Sequence, residues 1–292
     1  MGNKKIGLLD IDGHNFPNLA LMKISAWHKK NGDSVEFATM FENYDVIYKS
    51  KIFSWTQDPD YCYQSDLVIK GGTGFDIHSK LSPEIDRMCP DYFLYNTEHA
   101  YGFLTRGCPN KCSWCIVPEK EGDIKPYADI EDFLDGKKSA VLLDNNVLAS
   151  DHGIKQIKKI VKMKIKVDFN QGLDCRLVDD SIAKLLSEVK WMKYIRFACD
   201  SQSQKNPIEA AVKKIRQYTK REIFVYTLIK NFDEAMDRIM FLKNLGLSPF
   251  AQPFRDQKGT QPTWEQKNLS RWVNMKVAFK SMSYEDFKNS KY

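Results

Sequence analysis

Short runs of β-branched and aromatic residues alternate along this chain with stretches whose apolar residues recur every three or four positions. The runs are strand candidates and the stretches amphipathic helices, and their alternation predicts an α/β architecture with parallel sheets. Two blocks separate. The first opens with a strand over Lys5 to Asp10, then a helix over Leu19 to Lys30 (LALMKISAWHKK) that Asn31-Gly32 ends. Strands follow at Ser34 to Ala38, Tyr44 to Ser50 and Leu67 to Lys70, and the run from Ser79 to Thr97, with Pro83 and Pro90, reads as a linker. This is the start of a doubly wound, Rossmann-like sheet, in which ligands bind beyond the carboxyl ends of the strands. Three polar or glycine-rich turns sit at those ends: Asp12-Gly13-His14-Asn15, Ser50-Lys51 and Gly71-Gly72-Thr73-Gly74.

The second block starts near Glu98, with strand candidates at Tyr101 to Arg106, Ala140 to Asp144, Val167 to Gln171, Tyr194 to Cys199, Ile223 to Ile229 and Pro249 to Phe254. Helical patterns lie near 151–163, 179–189, 207–219 and 232–245, with a shorter one around Ile130 to Leu134. Six β/α units fall short of an eight-stranded barrel, so a partial (β/α)6 TIM-type barrel is expected, with its chemistry at the carboxyl ends of the strands. After the polar loop Arg255 to Gln261, the apolar spacing from Trp264 to Phe279 predicts a helix that closes the open barrel. The expected organisation is thus a Rossmann-like domain over 1–97, a barrel over 98–262 and a helical closure over 263–292.

At 292 residues and 42% hydrophobic, the chain can bury a substantial core. No apolar run approaches the roughly 20 residues of a membrane helix, and MGNKKIGLLDID passes from two lysines into a strand-like run without a signal-peptide pattern. A cytoplasmic protein is expected. The net charge of +6 leaves room for an anionic partner, but the lysines of Ile154 to Val161 and their neighbours fill the polar side of an amphipathic helix, so nucleic acid is only weakly supported.

Cysteine usage changes the picture. Of seven cysteines, three crowd one stretch, GFLTRGCPNKCSWCI, directly after the first strand of the second block. In a reducing compartment such crowding points to metal or catalysis rather than disulfides. A zinc site takes four protein ligands or three and a water, commonly as two separated pairs, and no second pair follows downstream. Three thiolates on a four-iron cube leave one iron open for a substrate or cofactor. A zinc knuckle stays as the alternative.

Cys108, Cys112 and Cys115, spaced CxxxCxxC on a loop after the first strand of a six-unit β/α block, resemble the radical S-adenosylmethionine (radical SAM) superfamily. The aromatic Trp114 before the third cysteine fits that pattern. The resemblance implies a 4Fe-4S cluster whose open iron chelates S-adenosylmethionine, and reductive cleavage to a 5'-deoxyadenosyl radical acting on a substrate the chain does not name. It also implies a reductant such as flavodoxin or ferredoxin. Where the family holds the cofactor's amino group, this chain reads Leu143-Asp144-Asn145-Asn146, similar to the Asp-rich version of cobalamin-associated members. At the third strand end, Gln171, Asp174 and Arg176 supply an amide, a carboxylate and a guanidinium that could fork onto the cofactor carboxylate; a salt bridge from Arg176 to Asp179 is the alternative. Asp200 and Tyr226 end the next strands as candidate partners of the ribose or adenine. Cys175 and Cys199 read as small buried side chains.

The first block is similar to the cobalamin-binding-like domain that precedes the barrel in one group of that superfamily. Its pattern, Asp-x-His-x-x-Gly with a serine turn and a Gly-Gly turn, is echoed by Asp12, His14 and Asn15, by Ser50, and by Gly71 and Gly72. Pro17 replaces the last glycine of the pattern, and the intervals are shorter. Cobalamin and a retained scaffold that recognises substrate are both open on this reading. Methylthiotransferases share the two-part layout but carry three further cysteines in the first domain, where only Cys62 and Cys89 occur here. The leading expectation is a radical SAM enzyme. Its alternatives are a cobalamin-dependent radical SAM methyltransferase and a non-catalytic, metal-stabilised nucleic-acid-binding protein.

Overall fold

A computed structural model describes residues 3–13, 16–59 and 62–290. The chain begins β1 (Lys5–Asp10), α1 (Leu19–Lys30), β2 (Ser34–Phe37), β3 (Asn43–Ser50), β4 (Gln64–Gly71), α2 (Pro83–Asp86) and β5 (Ala100–Gly102). It continues with β6 (Thr105–Arg106), α3 (Val117–Lys120), β7 (Lys125–Pro126), α4 (Glu131–Leu134), β8 (Ser139–Leu142), α5 (Asp151–Met163), β9 (Lys166–Phe169), α6 (Asp180–Glu188) and β10 (Lys190–Trp191). The remainder is β11 (Ile195–Ala198), α7 (Lys205–Arg216), β12 (Ile223–Ile229), α8 (Phe232–Asn244), β13 (Ser248–Pro253), α9 (Trp264–Asn274), α10 (Lys276–Ser281) and α11 (Tyr284–Asn289). The fold is α/β with parallel sheets. Two compact units form: one comprises the chain up to Gly102 with Asp129–Ser139 and Gln257–Gly259, the other the rest.

In the first unit a parallel sheet runs in the order β2-β1-β3-β4. Alternate residues Ile6, Leu8 and Val46 meet Leu21 and Ile24 of α1, which Asn18 caps by accepting from the Leu21 N–H. The sheet register sets Asp10, Ser50 and Gly71 side by side at the carboxyl end. The stretch expected as a linker is built into this unit. Leu81, Ile85 and Leu94 join the same core, and Pro83 opens α2, where a missing N–H costs nothing. Three side-chain bonds fix it: Ser25 to Asp91 (2.6 Å), Tyr95 to Asp10 (2.6 Å), and the Tyr92 hydroxyl to the Phe133 carbonyl.

In the second unit, β10, β9 and β8 are neighbours in one sheet, with β10 and β9 parallel, β11-β12-β13 form a parallel ladder, and a bridge joins Leu173 to Phe197. Helices α5, α6 and α8 start at Ser150, Asp179 and Asn231, each accepting from a first-turn N–H, within two residues of the expected starts. The expected strand Tyr101 to Arg106 is broken. The Leu104 and Thr105 N–H groups turn to the Asp144 carboxylate instead of a neighbouring strand, and β6 then pairs antiparallel with β7. The C-terminal helix is also interrupted, at Met275 (φ −81°, ψ 84°) and again before α11. Its apolar residues Leu269, Trp272, Val273, Phe279 and Phe287 bury against Ile229, Ile239 and Ala251. Among the described residues no helix is long and apolar enough to cross a membrane.

Candidate functional site

The cysteine loop hangs from a frame outside the motif. Gly107, at φ +84°, turns the chain out of β6; a Cβ there would lie 2.2 Å from the Asp123 carbonyl oxygen. Glu121 then closes the loop on itself. Its carboxylate accepts from Arg106 Nη2 (2.6 Å), the Gly107 N–H (2.8 Å) and Asn145 Nδ2 (2.8 Å), and the Cys108 N–H donates to the Gly122 carbonyl (3.1 Å). The start of the loop, its end and the turn after β8 are thereby tied to one half-buried carboxylate. Nothing in the motif marks Glu121, because it lies six residues past the third cysteine with no fixed pattern.

Cys108 and Cys112 are half-buried and Cys115 is exposed. Burial raises the Cys112 thiol above its ordinary range, opposed by the Arg176 guanidinium, and burial likewise raises Cys115, with the other two loop thiols adding in the same direction. Among the described residues no three His, Cys, Asp or Glu side chains are grouped as a single metal ion would require.

Beside Cys108 a polar network joins three predicted residues. Asn146 Nδ2 donates to Cys108 Sγ (3.5 Å) and to Asp174 Oδ2 (3.1 Å). Asp174 also accepts a two-pronged bond from Arg176 (2.7 and 2.8 Å) and one from Asn110 Nδ2 (2.9 Å), a loop residue the sequence reading passed over. Arg176 thus pairs with Asp174, and Asp179 caps α6 without it. These donors hold the Asp174 carboxyl below its usual range although burial pushes the other way. Asn146 Oδ1 is buried with no hydrogen-bond partner. Rotating the amide would aim its oxygen at the Asp174 carboxylate, so the acceptor stays where it is, unmet.

The other predicted residues divide. Asp144 is fully buried, accepting from the Leu104 N–H (3.1 Å), the Thr105 N–H (2.6 Å) and the Thr105 hydroxyl (2.7 Å); burial lifts its carboxyl to about 6 while these donors pull it back. It shapes the frame under the cysteine loop. Asn145 holds Glu121. Asp200 accepts from the Leu228 N–H (2.9 Å), and burial raises it to about 6. Tyr226 bonds the Asn170 carbonyl (2.9 Å) and Arg196 (3.1 Å), which is itself forked onto Asp168 (2.6 and 2.7 Å). Gln171 is exposed. Trp114 lies under the ammonium of Lys230, 5.0 Å from the ring centroid, a contact between the cysteine loop and the end of β12 that no local pattern signals.

In the first unit, Asp12 accepts from the Ile52 N–H (2.5 Å), the Phe53 N–H (3.4 Å) and the Thr56 hydroxyl (2.6 Å). Ser50 accepts from Asn18 Nδ2 (2.9 Å), and Gly72 takes φ +95°, where a Cβ would strike the Lys51 carbonyl at 2.4 Å. Asp12, Ser50, Gly71 and Gly72 therefore gather at one end of the sheet; His14 and Asn15 lie outside the described residues.

No family model matches the chain. The ribosomal protein uS12 methylthiotransferase RimO of Rhodopseudomonas palustris (strain BisA53) is 29% identical over 103 residues, 31% of this chain and 23% of that protein, so the chain matches less than a quarter of that relative's length. Among solved structures, the radical S-adenosylmethionine methyltransferase TsrM from Kitasatospora setae, with cobalamin and a [4Fe-4S] cluster bound, matches with a TM-score of 0.64 at 10% identity, over 86% of this chain and 75% of that one. The same enzyme with tryptophan substrate and a SAM analogue bound matches at 0.62 and 11% identity, over 87% and 73%. At such identities the likeness is one of fold alone: the chain folds similarly to TsrM over most of its length.

Proposed function

We propose that the protein is a radical SAM enzyme, with Cys108, Cys112 and Cys115 holding a 4Fe-4S cluster and the strands of the second block forming a partial barrel around it. The observation that carries this reading is the unmet buried acceptor Asn146 Oδ1 beside Cys108, at the strand end where an ammonium donor would satisfy it. The donor set fits the group. Three thiols occupy one short loop, and a four-iron cube holds its thiolates farther apart than one ion does, so the absence of a one-ion grouping is no obstacle.

When bound, the cluster and S-adenosylmethionine supply reductive cleavage of the sulfonium to a 5'-deoxyadenosyl radical. The chain's part is positioning. Glu121 fixes both ends of the loop, Asn146 offers its oxygen to the cofactor's amino group, and the Asp174 to Arg176 pair presents a guanidinium for its carboxylate. Trp114, next to the third cysteine in the chain, stacks under the Lys230 ammonium. Asp200, a carboxyl near 6, is a candidate ribose partner.

A second reading is cobalamin-dependent methyl transfer. It is supported by the likeness to TsrM over 86% of the chain, which takes in the first unit, and by the gathering of Asp12, Ser50, Gly71 and Gly72 at its strand ends. The test is anaerobic reconstitution with iron and sulfide, then 5'-deoxyadenosine and methyl-transfer assays with dithionite, with and without cobalamin. Roughly four irons per chain and deoxyadenosine formation, both lost in Cys112→Ala, are the expected result. A corrinoid absorption band retained through gel filtration would select the second reading. A colourless protein with one zinc per chain would overturn both.

A further inference from the structure

The β4 strand is the outer strand of its sheet and one of the longest in the chain, and it is exposed on both faces. Leu67 is 51% exposed, Val68 46% and Ile69 39%, three consecutive large apolar residues on a strand whose sole sheet neighbour among the described residues is β3. Protein edges of this length are normally blunted by charge, proline or a bulge, because their free N–H and C=O groups template another strand. In β4 the only charges, Asp66 and Lys70, flank the apolar triplet.

That flanking is self-complementary. Two copies of β4 related by a two-fold axis run antiparallel, and with the axis at Val68 the opposed positions sum to a constant. Val68 then faces its own copy, Leu67 faces Ile69 twice, and Asp66 faces Lys70 twice. A register one residue away loses both ion pairs, since charge pairing needs the axis midway between 66 and 70. Asp66 is exposed and has no ion-pair partner among the described residues; Lys70 is exposed too, 3.5 Å from Asp58, whose closer partner is Lys49 at 2.5 Å, and 5.4 Å over the Phe75 ring.

We infer that β4 is a homodimer interface: two chains join edge to edge into one continuous sheet, in a register that Asp66 and Lys70 select. The inference concerns the first unit alone and stands whether or not the second binds a cluster.

The experiment is sedimentation equilibrium of the full chain, with single and paired charge exchanges. Asp66→Lys or Lys70→Asp alone turns two attractive pairs into two repulsive ones and is expected to weaken dimerisation about tenfold. The double exchange D66K/K70D restores the pairs and should return the dissociation constant to within about threefold of the parent. Because both positions are exposed, the folded state survives either change, and far-ultraviolet circular dichroism checks this. In oxidising buffer and a background with the exposed Cys62 and Cys115 replaced by serine, Val68→Cys should give a disulfide-linked dimer that neither that background nor Leu67→Cys in it gives, since only position 68 meets itself. A monomer at all concentrations, a dimer indifferent to the single exchanges, or no recovery in the double exchange overturns the inference.

Discussion

Asp144 offers the sharpest test of how the frame under the cysteine loop is built. Its carboxylate takes the Leu104 N–H, the Thr105 N–H and the Thr105 hydroxyl in a site that admits almost no water, with the residue only 4% exposed. Asp144→Ala leaves those three donors buried and unmet. At about 1 to 3 kcal/mol for each orphaned group, and with partial relaxation, a loss of about 4 kcal/mol is expected. Asp144→Asn separates charge from shape. The native carboxyl titrates near 6 instead of its ordinary 3.8, so the folded state binds its proton more tightly than the unfolded state does. A raised carboxyl stabilises fully below 3.8 and loses that contribution as pH rises to about 6, a change on the order of 3 kcal/mol that then stays level. The assay is urea unfolding of the reduced, cluster-free chain from pH 4 to pH 7.5. The advantage of the parent over Asp144→Asn should shrink by about 3 kcal/mol across that range. Parallel pH profiles would refute the assignment of a desolvated carboxyl, and a loss under about 1 kcal/mol in Asp144→Ala would refute its role as an anchor.

Three further outcomes follow from the same geometry. Glu121→Ala releases Gly107, Arg106 and Asn145 together and should speed iron loss from the reconstituted protein several-fold by absorbance decay, while Glu121→Gln, which keeps an acceptor, falls between. Gly107→Ala forces a side chain into φ +84° and against the Asp123 carbonyl, so it should cost about 1 to 3 kcal/mol in urea unfolding and expose the loop to limited proteolysis. Breaking the buried Arg196 to Asp168 pair with Asp168→Ala should cost about 3 to 5 kcal/mol, whereas Asp168→Leu combined with Arg196→Met should cost clearly less, because no charge is left unpaired.

The chain's periodicities were enough for its elements: strands such as β1 and β12 and helices α1, α5 and α8 lie within two residues of their expected bounds, since side-chain alternation and cap residues act locally. The cysteine spacing was legible for the same reason, all three cysteines falling within eight residues. What only tertiary structure decided is the surroundings of those cysteines. Asp144 breaks the strand that pattern alone made continuous, because its carboxylate outcompetes a neighbouring ladder for two N–H groups 39 and 40 residues away. Arg176 finds Asp174, two residues off, rather than Asp179, and Glu121 becomes the clasp of the loop through partners 14 to 24 residues distant. The linker turned core element tells the same story: Pro83 and Pro90 interrupt any long helix or strand pattern, but the packing of Ile85 and Leu94 depends on Ile6, Leu8 and Val46, far upstream on β1 and β3. Sequence sets what each segment prefers by itself; which polar groups meet in the interior depends on long-range packing, where each buried donor takes whatever acceptor the fold brings to it.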